Sequence, residues 1–166
     1  MPAHRPPVLL LSRCLPLAVL LALAACGGGD RDPTGAIPAE LAATWEADRS
    51  CAPCEFSVAS RADTTRKYDL IHQPPYASVQ VTIERSGTFR LRYTAGVGVD
   101  TTLTGTARVQ GSTLIVTDRS ENRDTIDYSV GGGLLRLAYR DELRVYDFDG
   151  DGRADPGRAQ LVLRRR

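Results

Sequence analysis

From Leu41 onward the apolar residues recur at every second position, in short runs that end at turn signals. Val79, Val81 and Ile83 alternate with Gln80, Thr82 and Glu84; Ser86-Gly87 turns the chain; Phe89, Leu91 and Tyr93 then alternate with Arg90, Arg92 and Thr94. A period of two places alternate side chains on opposite faces of an extended chain, so this stretch predicts a β-hairpin. Leu103, Gly105, Ala107 and Val109 repeat the pattern against Thr102, Thr104, Thr106 and Arg108, with Gln110-Gly111 as a two-residue turn. Leu114 and Val116 follow, then Ile126, Tyr128 and Val130, then the turn Gly131-Gly132-Gly133. Leu135, Leu137 and Tyr139, then Leu143 and Val145, lead to a closing run with Leu161 and Leu163. Residues 61–77, with His72 and Pro74-Pro75, read as the one long irregular connection. No stretch of 41–166 has helical periodicity.

Short links make successive strands pair antiparallel. A meander of this length removes its exposed edges by curling on itself, so the pattern predicts an all-β domain over 41–166 built as an antiparallel up-and-down β-barrel. A two-sheet β-sandwich is the alternative, because alternation alone does not separate a closed sheet from two packed ones.

The segment Leu41-Ala42-Ala43-Thr44-Trp45-Glu46, the Ile83 to Phe89 hairpin, the run Gly105 to Leu114 and a basic final strand together resemble the bacterial lipocalin-like domains. In that family a Gly-x-Trp on the first strand packs its indole against a basic residue of the last strand. The resemblance therefore implies a contact between Trp45 and Arg164 or Arg165, with Ala43 standing where the family has glycine. It also implies an internal pocket for a small hydrophobic molecule. Gly105 and Ala107 leave room inside, whereas Phe89, Tyr93, Tyr128 and Tyr139 are large enough to fill it, so a filled core stays open as the other outcome.

Residues 1–25 break the alternation. Arg5 and Arg13 precede an apolar run from Leu15 to Ala25, too short to cross a bilayer but suited to the core of an export signal. Leu23, Ala24, Ala25 and Cys26 resemble the lipobox of bacterial lipoproteins, which implies cleavage before Cys26 and acylation of its sulfur. Several acyl chains, at about 0.8 kcal/mol per buried CH₂, hold a protein firmly on a membrane. Gly27 after that cysteine, by the sorting rule of such lipoproteins, implies the outer membrane of the cell envelope. Residues 26–40 read as the lipidated cysteine and a flexible tether. Its 14 residues from Gly27 to Glu40 reach about 20 Å as a random coil.

Loss of the leader takes the Lys+Arg count from 21 to 19 against 20 acids, a balance that argues against a nucleic-acid partner. It also leaves one histidine, His72, which argues against triads and histidine-rich metal sites and reads as a loop residue. Cys51-Ala52-Pro53-Cys54 supplies the only two thiols besides Cys26 in the processed chain, and in an oxidising envelope they are expected to form a disulfide. Glu55 after the pair excludes c-type haem attachment, and the surrounding strands do not offer the helix N-terminus of a redox Cys-x-x-Cys.

The sharpest chemical signal is Asp147-Phe148-Asp149-Gly150-Asp151-Gly152-Arg153-Ala154-Asp155. Its acids at positions 1, 3, 5 and 9, a glycine at 6 and a carbonyl from Arg153 at 7 can converge on one hard cation. The loop resembles the calcium loops of EF-hands and, more closely, those of integrin-type propeller repeats. Arg158 at position 12 removes the bidentate glutamate, so the expected calcium site is structural and weak, on the order of 10⁻⁴ to 10⁻³ M. A solvated acidic hairpin is the alternative. No haem or nucleotide motif is present. The sequence therefore leads to a non-enzymatic, membrane-anchored envelope barrel that binds a small hydrophobic ligand. The alternative is an assembly lipoprotein contacting other envelope proteins through outward arginines Arg90, Arg92, Arg108, Arg136 and Arg144.

Overall fold

A computed structural model describes residues 35–166 apart from Val97, with backbone alone at Arg144 and Val145. The lipobox residues, Cys26 and Gly27 lie outside the described residues. Eleven strands form: β1 (Ala43–Ala47), β2 (Glu55–Ser60), β3 (Lys67–Asp69), β4 (Ser78–Ile83), β5 (Thr88–Ala95), β6 (Val99–Gln110), β7 (Thr113–Asp118), β8 (Arg123–Gly131), β9 (Leu134–Tyr139), β10 (Leu143–Tyr146) and β11 (Asp155–Arg165). None of the described residues is helical.

All pairings are antiparallel. The path β1-β4-β5-β6-β7-β8-β9-β11 returns to its start through β1–β11 pairing at Trp45↔Arg165 and Glu46↔Arg164, so the sheet closes as a barrel and the sandwich is excluded. The β4–β5 hairpin has the register expected from the alternation, with Val81 opposite Leu91 and Ile83 opposite Phe89. The β6–β7 turn sits one residue later than expected, at Gly111-Ser112. Gln110 is paired with Thr113 and Gly111 takes a φ of 63°, open to glycine without strain. Within the expected irregular connection, Lys67–Asp69 is a strand paired with β2.

The long strand β11 organises the closure. One of its edges carries β9 and then β10, from Arg164↔Leu134 to Leu143↔Gly157. The other edge carries β1 and β2 end to end. Between the pairs Glu46↔Arg164 and Glu55↔Val162 the β1–β2 side advances nine residues while β11 advances two, so seven residues loop out of one continuous edge. That loop holds the Cys51–Cys54 disulfide, with a Cα–Cα distance of 5.2 Å and both residues buried. Beyond it the partner changes. In the lower half β1 lies between β11 and β4, whereas in the upper half β2 pairs with β3 and the Leu70 to Ala77 loop fills the gap toward β4. The loop is fastened by Leu70 N donating to Phe56 O (2.8 Å) and Ala77 N donating to Leu70 O (2.6 Å).

The lower half is filled. Trp45, Leu41, Ile83, Leu114, Leu135 and Leu163 are all fully buried. The Trp45 Nε1–H donates to Leu41 O at 3.0 Å, so the one polar atom of the indole is satisfied. Arg165 lies over the same ring, 5.7 Å from its centroid, while Arg164 turns outward to Glu46 at 3.2 Å. The docked chain also begins before Leu41: Ile37 is buried and Gly35 O accepts from Val109 N at 3.1 Å. Every described strand finds its partners within residues 35–166.

Candidate functional site

The upper half of the barrel is hollow. Leu91 and Tyr93 on β5, Tyr139 on β9 and Leu143 at the start of β10 stand on the inward phase of their strands, yet remain partly exposed. Inward and exposed are compatible only around a cavity. One of about 310 Å³ lies there, open on one side and lined also by Phe56 of β2, Leu70, Val79 of β4 and Leu161 of β11. Phe56 meets Tyr93 edge to face at 5.9 Å, joining the β2–β3 flap to β5 across the gap beside β4. The volume is at the lower end of the range for small-molecule sites. Both outcomes left open by the sequence thus occur in one barrel, a packed half and a hollow half.

The cavity wall is apolar except for two phenols. Burial pushes the Tyr139 hydroxyl up to about 12, with the nearby Asp124 carboxylate adding to the shift, and burial also raises Tyr93. Asp124 is the polar residue that sequence reasoning missed. It stands on β8 in phase with Ile126, Tyr128 and Val130, so its side chain is on the inner face, and it is half-buried. Its pKa is raised, chiefly by desolvation and further by Asp141 and Asp118. Those two carboxylates are already engaged: Asp118 accepts from Ser120 N, Asn122 N and Asn122 Nδ2, and Asp141 accepts from Thr125 N. An acid in the apolar phase of a strand is the signal that was legible in the sequence.

In the acidic loop the structure brings Asp147, Asp149 and Asp151 together, with one carboxylate oxygen of each within 4.8 Å of the others. That spacing suits a calcium ion with ligands at about 2.3 to 2.6 Å. Asp155 is not in the group, because its Oδ2 accepts from Phe148 N at 2.7 Å. Arg153 contributes a backbone N–H to Asp151 Oδ1 at 2.8 Å. Asp147 accepts from Gly150 N and Gly152 N at 2.6 and 2.7 Å, which holds its pKa below the ordinary value. Bonds from backbone N–H groups to the aspartate carboxylates therefore shape the loop, and a cation would add to a prefolded turn. An open groove of about 520 Å³ separates it from residues 60–66, where Arg66 Nη1 donates to Phe148 O at 3.2 Å.

No family model matches this chain, and neither the curated proteins nor the solved structures yield a significant match. His72 lies on the loop after β3, exposed, with Nδ1 2.7 Å from Asp69 Oδ2. Among the outward arginines, Arg92 is bound to Asp100 at 2.7 Å, whereas Arg90, Arg108 and Arg136 are exposed on β5, β6 and β9. The side chain of Arg144 is outside the described residues.

Proposed function

We propose that the protein is a lipid-anchored envelope lipoprotein whose lipocalin-like barrel carries a small hydrophobic molecule in its upper cavity without acting on it chemically. The observation that supports this most directly is the ring of inward side chains left partly exposed around an apolar hollow, in a barrel whose other half is filled. The Trp45–Arg165 stack supports the lipocalin-like reading. The anchor rests on Leu23-Ala24-Ala25-Cys26 and the apolar run before it. The residues that line the hollow are apolar apart from two phenols, so burial of apolar surface supplies most of the affinity.

Residues 27–166 are expected to bind a solvent-sensitive apolar fluorophore one-to-one with a Kd on the order of micromolar. Leu91→Trp, which plugs the hollow, is expected to weaken that binding at least about tenfold with the fold intact by circular dichroism. Absence of saturable binding in the parent protein would discard the carrier reading and favour an assembly role through the outer arginines.

The acidic loop is read as a weak structural calcium site that pins the connection into β11. Millimolar calcium is expected to raise Tm by about 2–4 °C over chelator, and Asp149→Ala to abolish the difference. Identical melts with calcium and chelator would leave the loop as a turn shaped by its own hydrogen bonds.

A further inference from the structure

The hollow is lined by apolar side chains and two phenols, and Asp124 stands on the inner face of β8 close to one of those phenols. Tyr139 lines it, and among the described residues its hydroxyl has no hydrogen-bond partner, although no side-chain polar atom sealed in protein lacks one. The hydroxyl therefore faces the open space of the hollow. Asp124 is its diagonal neighbour: Ile126 pairs directly with Tyr139, Arg140 N donates to Thr125 O, and Asp124 is two residues from Ile126 on the same face. Among the described residues the Asp124 carboxylate has neither an ion pair nor a hydrogen bond, its backbone being paired with Val116 of β7, and no basic side chain lines the hollow. Asp118 and Asp141 add negative charge behind it. Both oxygens of Asp118 and one of Asp141 accept from N–H donors, whereas the Asp124 carboxylate accepts from none.

A partly desolvated carboxylate without a partner on the inner face of a barrel weakens the unliganded fold, and sites kept at such a cost are commonly functional. Toward a ligand it discriminates by sign. A carboxylate-headed amphiphile would place a second anion beside Asp124, a neutral one would leave Asp124 unpaired, and an ammonium would compensate it. The aromatic faces of Tyr139 and Tyr93 favour a cation by their quadrupoles.

We infer that the hollow selects an apolar molecule ending in a protonated amine, whose ammonium donates to the Asp124 carboxylate and the Tyr139 hydroxyl while its hydrocarbon occupies the space between Leu91, Val79 and Leu161. The inference rests on the carrier reading and names the ligand class of the same cavity.

Calorimetric titration of residues 27–166 with octylamine, octanol and octanoate tests it. The expected order is octylamine tightest, octanol about tenfold weaker and octanoate weakest. Asp124→Asn is expected to bring octylamine to the level of octanol while leaving octanol unchanged. Tyr139→Phe is expected to weaken the two together. Without ligand, Asp124→Asn is expected to raise Tm by about 2–4 °C at neutral pH, because a carboxyl whose folded pKa lies above its unfolded one makes the fold less stable as pH rises through that window. Equal binding of the three probes, tightest binding of octanoate, or an amine preference that survives in Asp124→Asn overturns the inference and leaves the carrier reading standing. Binding of none of the three probes overturns the carrier reading itself.

Discussion

Trp45→Ala lowers the melting temperature by about 10–20 °C, corresponding to a loss of about 3–5 kcal/mol. The indole is fully buried at the lower end, among Leu41, Ile83, Leu135 and Leu163. The strand neighbours Ile83, Leu135 and Leu163 cannot collapse into the space it leaves, because their backbones are held in the closed sheet by pairing with adjacent strands. The substitution also strands Leu41 O, which accepts the indole N–H at 3.0 Å. Trp45→Phe separates the two effects. It retains most of the volume and loses the hydrogen bond, so its cost is expected near 1–3 kcal/mol. Differential scanning calorimetry measures both. A Trp45→Ala protein melting within a few degrees of the parent would show that the lower half is not the rigid part of the barrel.

Gly105→Ala is expected to cost about 2–3 kcal/mol, a Tm fall of about 6–12 °C, despite adding a single methyl group. A Cβ at this position would lie 2.0 Å from Thr117 O and 2.8 Å from the Cα of Asp118, its partner on β7. Both obstacles are backbone, so no side-chain rotation relieves them and β6 must separate from β7. Glycine is required here by close approach rather than by a left-handed φ. Gly131→Ala is the control: its Cβ meets nothing within 4 Å, and its Tm is expected to stay within about 2 °C of the parent. Equal effects at the two positions would refute the close-approach account.

Strand pairs joined by tight turns were legible in the sequence because their pairing is local. The alternation from Val79 to Tyr93 dictates which residues face the core, and the turn at Gly87 sets the register that places Val81 opposite Leu91. The strands β2 and β3 were not legible. Lys67–Asp69 has two charges in three residues, and its pairing to Ser57, Val58 and Ala59 depends on β11 first holding β2 in place. The hollow was hidden for a related reason. Phe89 and Tyr139 are both large aromatics on inward phases, yet Phe89 is buried in the packed half and Tyr139 borders open space. What separates them is the seven-residue excursion after Glu46, a feature of register between distant segments that no local pattern encodes. In the acidic loop the spacing foretold the convergence of Asp147, Asp149 and Asp151. It did not foretell that Asp155 would be taken by the Phe148 N–H, a competition only the folded backbone decides.

Both seams of the barrel run along β11, which supplies partners to β1 and β2 on one side and to β9 and β10 on the other. It is also the last strand of the described chain to be synthesised. Four earlier segments therefore keep unmatched edges until β11 is in place, and closure of the barrel waits on pairings between segments far apart in the chain.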